Sequence, residues 1–435
     1  MTLVGLAAEG MIKKASSSGS LRLARRMKRY VEAERWLQKR NRYRADVRGR
    51  IRTDCAPGGP GISSPHLSAY VAASAPLHCS DGWTLLGKAL ASHAMGDAST
   101  AVHLAYYAEL RAAMSLLAVG GVGVFDTIHF AMDAAGMPSR ILGNHSTHTL
   151  AWEALRVWSA TPSAASIVSN SIKPAGLPLA DWLATYPPLA AWGPIATAWL
   201  QAWGVDIARY AGDQDARNEA SYRPTALLYR RSVDVTEAYQ YLVSFWRLME
   251  PGDSTFAPLD RSLLRETLRT AHKATGIPDA FDDVIAAVVA NAGLAPGAEA
   301  TWVPYLTAAG SPDLVIRAGR LSPPASPDLH LEVISRAALL LRVATGAAAN
   351  YLNAAEIDSE SLRFWWTAVG EDAGLWSGSA PDALVDLWAD VVAAIDSIES
   401  AGVLGSYFAT AISLGAERTV LSQTERPMLW GLTGN

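Results

Sequence analysis

Apolar residues recur at spacings of three and four along most of this chain, and strict alternation is scarce, so the pattern predicts helices. The clearest case is Ala101–Ala118, AVHLAYYAELRAAMSLLA. Tyr106, Leu110, Ala113 and Leu117 form one stripe, and Leu104, Ala108 and Ala112 form a second beside it. A helix apolar on two adjacent stripes is expected to be surrounded on most sides. Asp97 and Ser99 precede it as candidate caps. Leu85–Met95 reads as a short helix closed by Gly96, and Thr147–Ser159 as another helix. Between them Val122–Met132 is β-branched and aromatic, and predicts a short strand pair or an extended excursion. Trp182–Tyr210 carries Pro187, Pro188 and Pro194 and reads as a broken helical segment. Further helices are expected at Val233–Met249, Leu263–Thr275, Asp282–Ala292, Leu331–Leu352 and Leu384–Ser397, with a loop at 321–330. Trp365, Trp366, Trp376 and Trp388 are expected to fill gaps between the last of these. No fixed period argues for a solenoid. The expected fold class is all-α.

The N-terminal region breaks this pattern. Leu21–Ile51 also reads as helical, but its apolar points are sparse among Arg and Lys. Fifteen Lys and Arg stand against Glu32, Glu34 and Asp46 between Lys13 and Arg52, about +12. The formal net charge is -4, so the rest of the chain carries about -16. A basic arm on an acidic body points to a partner. The Gly-, Pro- and Ser-rich stretch 56–65 reads as a linker. Three units are therefore expected: a basic arm at 1–55, a central helical bundle at 56–230 and a helical C-terminal domain at 231–435.

With 435 residues, half of them hydrophobic and 18% charged, the chain can bury a large core. No apolar run is long enough to predict a membrane span, and the apolar part of MTLVGLAAEGMIKK is too short for a secretory signal. Cys55 and Cys79 cannot form a disulfide framework and suit a reducing, cytoplasmic setting.

The common catalytic signatures are missing from the sequence: no GxxxxGK[ST] loop, no GxSxG elbow, no HExxH, no paired CxxC. GGVGVF at 120–125 lacks dinucleotide-loop spacing. His129, His145 and His148, with His78 and Cys79, sketch a metal site, but no carboxylate or thiol stands at a matching short spacing. Asn144, Ser146 and Thr147 more simply read as helix caps. Arg140 and His145 spell a pair that could face a phosphodiester, though the intervening Gly143 argues against a helical interior. No metal and no cofactor is expected.

Two segments taken together are more specific. AYYAELRAAMSLLA resembles the second-helix signature of the HEPN superfamily, and THTLAWEAL is similar to a Thr-His segment seen in many of its members. Ribonuclease members carry Arg-Asn-x-x-x-His, and Arg217-Asn218-Glu219-Ala220-Ser221 matches that motif up to its last position. There Tyr222 stands in place of histidine, followed by Arg223 and Pro224. The resemblance covers roughly 85–230. It implies an up-and-down helical bundle, often dimerised through the Arg-motif helix. It also implies metal-independent RNA cleavage or, in degenerate members, binding alone, in a bacterial defence or toxin-type system.

Arg217, Asn218 and Tyr222 are the site residues the resemblance carries over. A tyrosine with a pKa near 10 is a poor general base at neutral pH, so binding is favoured over cleavage unless His145 or His148 is supplied through space. The other reading of Arg217–Tyr222 is a helix end, with acidic neighbours at Asp213, Asp215 and Glu219 and with Tyr222 packed back on Tyr106 or Tyr107. The arm offers Arg22, Arg25, Arg26, Lys28, Arg29, Arg35, Lys39, Arg40, Arg42 and Arg44 to a nucleic-acid backbone, with Tyr30, Trp36 and Tyr43 to stack on bases. The same residues suit docking on an acidic protein, including this chain's own body, a second copy or a hetero-complex. The alternative to a HEPN-like nucleic-acid or partner binder is thus a structural scaffold subunit that docks through its arm.

Overall fold

The computed structural model describes residues 5–190, 196–207, 210–222, 234–320, 329–402 and 405–434. The expected boundary at 230 and most of the expected loop at 321–330 lie outside them. Among the described residues the chain is all-α, with helix accounting for 69% and a single small sheet.

The first third comprises α1 (Leu6–Lys13), α2 (Ser17–Val31), α3 (Val47–Cys55), α4 (Ser64–Ala94) and α5 (Ala98–Val119). An antiparallel sheet follows in the order β1 (Val122–Gly123), β2 (Phe130–Met132), β3 (Pro138–Arg140). Then come α6 (Thr147–Ser159), α7 (Pro162–Ser171), α8 (Leu179–Ala184), α9 (Pro187–Ala190), α10 (Ala196–Trp203) and α11 (Tyr210–Tyr222). The remainder is α12 (Val235–Leu248), α13 (Ala257–Thr275), α14 (Phe281–Asn291), α15 (Glu299–Thr307), α16 (Leu314–Arg320), α17 (Leu329–Ala354), α18 (Arg363–Asp372), α19 (Trp388–Ala401), α20 (Tyr407–Ser413), α21 (Gly415–Val420) and α22 (Glu425–Thr433).

Three long helices, α4, α5 and α17, make the centre. The Asp97 side chain accepts from Thr100 N at 3.0 Å and starts α5. Fifteen of its residues are buried, as the two apolar stripes require. The expected short helix at Leu85–Met95 is the last part of the 31-residue α4, whose buried positions run from Leu67 to Ala94. Gly82 explains the close packing of all three. A Cβ there would lie 2.6 Å from Leu341 Cδ2 and 3.2 Å from Ala108 O. Trp83 Nε1 and the Cys79 thiol meet Thr345 Oγ1 at 2.8 and 3.3 Å, which ties α4 to α17. The core that results is continuous from Ala8 to Leu432 and draws on all three expected units.

The basic segment is not one helix. It folds as α2 and α3, joined by turns at 32–46. Glu34 takes a left-handed φ of 56° and ends the first helix, and the Asp46 side chain caps the second through Gly49 N at 2.8 Å. Leu23, Ala24, Met27, Val31, Tyr43 and Ile51 are buried in the common core. The sparse apolar points of this segment are the side of it that docks on the body.

Candidate functional site

The centre of interest is where α11 crosses α5. On α11, Asp213, Arg217 and Ser221 stand four residues apart and share a face. On α5, His103, Tyr107 and Arg111 do the same. The two helices run antiparallel: Ser221 meets His103, Arg217 meets Tyr107, and Asp213 lies beside Glu109.

Arg217 Nη2 donates to Tyr107 OH, and its guanidinium carbon sits 5.1 Å from the centre of the Tyr107 ring. Arg217 Nη1 donates to Asn218 Oδ1 at 2.7 Å, while its buried Nε has no hydrogen-bond partner. The resemblance singled out Arg217 and Asn218, and they form one unit here. The unit lies in the last turns of α11.

Two histidines flank Tyr107. The His103 ring lies 5.1 Å from it and the His148 ring 5.9 Å from it. His148 stands at the start of α6, capped by Ser146 through Thr149 N at 3.2 Å. Their hydrogen bonds give them opposite tautomers. Buried Tyr106 OH accepts from Trp152 Nε1 at 3.3 Å, so its own proton points to His148 Nδ1 at 2.9 Å. Burial raises the Tyr106 pKa and keeps that proton in place. His148 therefore carries its proton on Nε2. On the other side Ser221 Oγ donates to Arg217 O at 2.8 Å, so it accepts from His103 Nδ1, also at 2.8 Å. His103 is left with a lone pair on Nε2. Burial first, and then the Arg217 charge, lower both histidine pKa values below 6.5 and favour the neutral rings. The cluster thus offers one ring nitrogen as acceptor, one as donor and a guanidinium between them, all partly exposed.

Several expected residues lie elsewhere. Tyr222 is 80% exposed at the end of α11 and does not pack back on Tyr106 or Tyr107. The His145 carbonyl accepts from His129 Nε2 at 2.9 Å, and nothing joins its ring to Arg217. His129 Nδ1 accepts from Phe125 N at 3.0 Å, so both its nitrogens hold the loop together and burial lowers its pKa to about 4. Among the described residues no three His, Cys, Asp or Glu side chains converge to hold a metal ion. His103, by contrast, escapes sequence reasoning. Its signal was its position four residues before Tyr107 on the same face, hidden within an otherwise apolar helix.

The cations of the N-terminal segment divide into two sets. Lys28 pairs with Glu356 at 3.0 Å, Arg42 with Asp54 at 2.5 Å, Arg25 Nε donates to Ala354 O, and Arg29 Nη2 donates to Tyr30 OH. Arg22, Arg26, Lys39, Arg40 and Arg44 are exposed without an ion pair among the described residues. Arg35 is half-buried. The aromatic residues do not interleave as stacking platforms. Tyr43 is fully buried with its OH on Asp54 Oδ2 at 2.7 Å, and Trp36 packs against Phe364 and Trp365.

No family model matches the chain, and no curated protein or solved structure matches it.

Proposed function

We propose that the His103–Tyr107–His148–Arg217 cluster binds an RNA phosphodiester and cleaves it with general-base chemistry. The observation that carries the reading is the meeting of the His103 and His148 rings on Tyr107, whose hydroxyl Arg217 holds, and the opposite tautomers inferred from their hydrogen bonds assign the roles. His103 Nε2 takes the proton of a 2′-hydroxyl. The 2′-oxygen attacks phosphorus, the bond to the 5′-oxygen breaks, and a 2′,3′-cyclic phosphate forms. The half-open site lets water protonate the leaving 5′-oxygen. Arg217 and the His148 Nε2–H stabilise the charge that develops on the non-bridging oxygens. The exposed arginines of α2 supply attraction for the phosphate backbone. The HEPN resemblance agrees with this chemistry, and a defence or toxin-type role is the setting it implies. The histidine that the family motif places after Arg-Asn comes instead from α5.

The reading is tested with labelled single-stranded RNA in EDTA. Wild type is expected to yield 2′,3′-cyclic phosphate ends, and a strand with 2′-deoxyribose at the cleaved step is expected to survive. His103→Ala and Arg217→Ala should each lower the rate by roughly 10²–10⁴-fold. An inert wild type, or variants as active as wild type, overturns the assignment. Ser221→Ala separates a serine–histidine dyad from this mechanism. Its proton is engaged by Arg217 O and it accepts from His103 Nδ1, so removing it loosens the His103 tautomer and a partial loss is expected; cleavage of the 2′-deoxy strand by wild type and not by Ser221→Ala would make Ser221 the nucleophile.

A further inference from the structure

A cavity of about 580 Å³ opens farther along the same face of α5. Beyond its first turn, the partly exposed positions of that helix are His103, Leu104, Tyr107 and Arg111. Arg111 stands two turns beyond His103, a rise of about 12 Å along the axis. It forms one wall of the cavity. Tyr70 and His78 of α4 form another, and Arg35, Trp36 and Arg44 of the turns after α2 form the third. The volume falls within the range of about 300–1,000 Å³ usual for small-molecule sites.

The lining is rich in donors. Three guanidinium groups, two from the 32–46 turns and one from α5, stand against one carboxylate, Asp81, whose side chain is 55% exposed and 3.5 Å from Arg111. Arg111 Nη1 donates to His78 Nδ1 at 2.8 Å. A guanidinium cannot accept, so the His78 proton sits on Nε2 and makes that nitrogen a donor. Burial and Arg111 lower the His78 pKa to about 3, so the ring stays neutral. Arg35 Nε is buried and has no hydrogen-bond partner. The remaining walls, Trp36, Tyr70, Leu37 and Leu77, are aromatic or apolar. Guanidinium forks suit phosphate oxygens, and flat apolar walls suit a base.

We propose that this cavity binds a nucleotide through its terminal phosphate, either as a free nucleoside monophosphate or as the 5′-phosphorylated end of an RNA. The second source rests on the RNA-directed reading of the neighbouring cluster; the first does not.

Equilibrium dialysis of the full chain tests the proposal with four radiolabelled probes: a mixture of the four nucleoside 5′-monophosphates, the matching nucleosides, and a short RNA with a 5′-phosphate or a 5′-hydroxyl. At least one phosphorylated probe is expected to bind more tightly than its unphosphorylated counterpart. Binding of the monophosphates identifies a free nucleotide, and binding of only the 5′-phosphorylated strand identifies an RNA end. Arg44→Gln and Arg111→Gln should each weaken binding about tenfold or more. Arg44 is exposed, so its substitution leaves folding intact. Arg22→Gln, on the exposed face of α2 and outside the cavity lining, should leave affinity for the monophosphates unchanged. No phosphate preference, no binding by wild type, or wild-type affinity in Arg44→Gln and Arg111→Gln overturns the proposal. His103→Ala should bind the monophosphates as wild type does, since His103 is not part of the cavity lining. Loss of cleavage and loss of this site are therefore separate results.

Discussion

Arg336 holds Asp213 at both ends of its guanidinium, with Nη2 to Oδ1 at 2.5 Å and Nε to Oδ2 at 3.0 Å, and neither side chain is exposed. The pair fastens α11 to α17 one turn before Arg217. Its bidentate geometry is what fixes the helix that presents the arginine. Asp213→Asn removes one charge and leaves the buried guanidinium with a poorer partner. Breaking such a pair typically costs about 3–5 kcal/mol. Chemical denaturation followed by circular dichroism should show a midpoint well below wild type, and a change under about 1 kcal/mol would mean that Asp213 does not anchor the helix.

Arg336 also faces Glu109 at 3.6 Å and Glu332 at 3.9 Å, both fully buried, so three carboxylates surround one cation. Neither oxygen of Glu109 has a hydrogen-bond partner. Burial, and then Asp213, raise the Glu109 pKa well above 4.5. The folded chain therefore holds a proton that the unfolded chain releases, and the stability this gives is lost as pH rises through the folded pKa. Glu109→Gln keeps the shape and removes the titration. Its denaturation midpoint should exceed wild type at about pH 8 and match it near pH 4. Parallel pH profiles for the two proteins would show that Glu109 does not titrate in this range.

The histidines give a readout that does not depend on activity. His103 and His148 are both held below 6.5, by burial first and by the Arg217 charge second. In NMR titrations of the folded chain, both should lose their protons below the ordinary range. Arg217→Gln removes the second cause and leaves the first, so both midpoints should rise without reaching 6.5. Unmoved midpoints would place Arg217 too far from the rings to act with them.

The stripes of α5, the short strands after it and the start of α6 at Thr147 were legible because each is set by local spacing or by a cap. Arg217 and Asn218 were picked out through the resemblance alone, and the structure shows only that their side chains meet. His103 was not legible, because a tautomer is fixed by partners far along the chain: Ser221 lies 118 residues away. The 21–51 segment misled for a related reason. Its breaks depend on Glu34 taking a left-handed φ and on Tyr43 reaching Asp54, both products of tertiary packing that helix propensity does not register.

The position at which the sequence departs from the motif it resembles makes a sharp case. Tyr222 points to solvent, while the ring that meets Ser221 belongs to His103. Tyr222→His should therefore leave RNA cleavage in EDTA within about twofold of wild type, since a group must reach the reacting proton to act on it. A gain of tenfold or more would place the site at the end of α11 and not against α5.

The N-terminal segment yields the last prediction. A basic arm joined by a flexible linker should be removable, and a chain beginning at Ala56 would then keep its fold and lose only affinity for phosphate. The packing predicts otherwise. Leu23, Met27, Val31, Tyr43 and Ile51 are each at most 5% exposed, and Ser20 Oγ bonds Tyr351 OH at 2.9 Å. Each buried apolar side chain of that size contributes about 1.5–3 kcal/mol, so the five together contribute about 7.5–15 kcal/mol, comparable to the whole stability of a typical domain at about 5–15 kcal/mol. The shortened chain should thus be strongly destabilised or unfolded, with a thermal midpoint lowered or lost in calorimetry. Charge substitution on the exposed face, Arg22→Gln with Arg26→Gln, should instead leave the stability within about 0.5 kcal/mol of wild type and reduce the salt dependence of RNA affinity. A stable chain from Ala56 would mean that the segment is a separable arm after all.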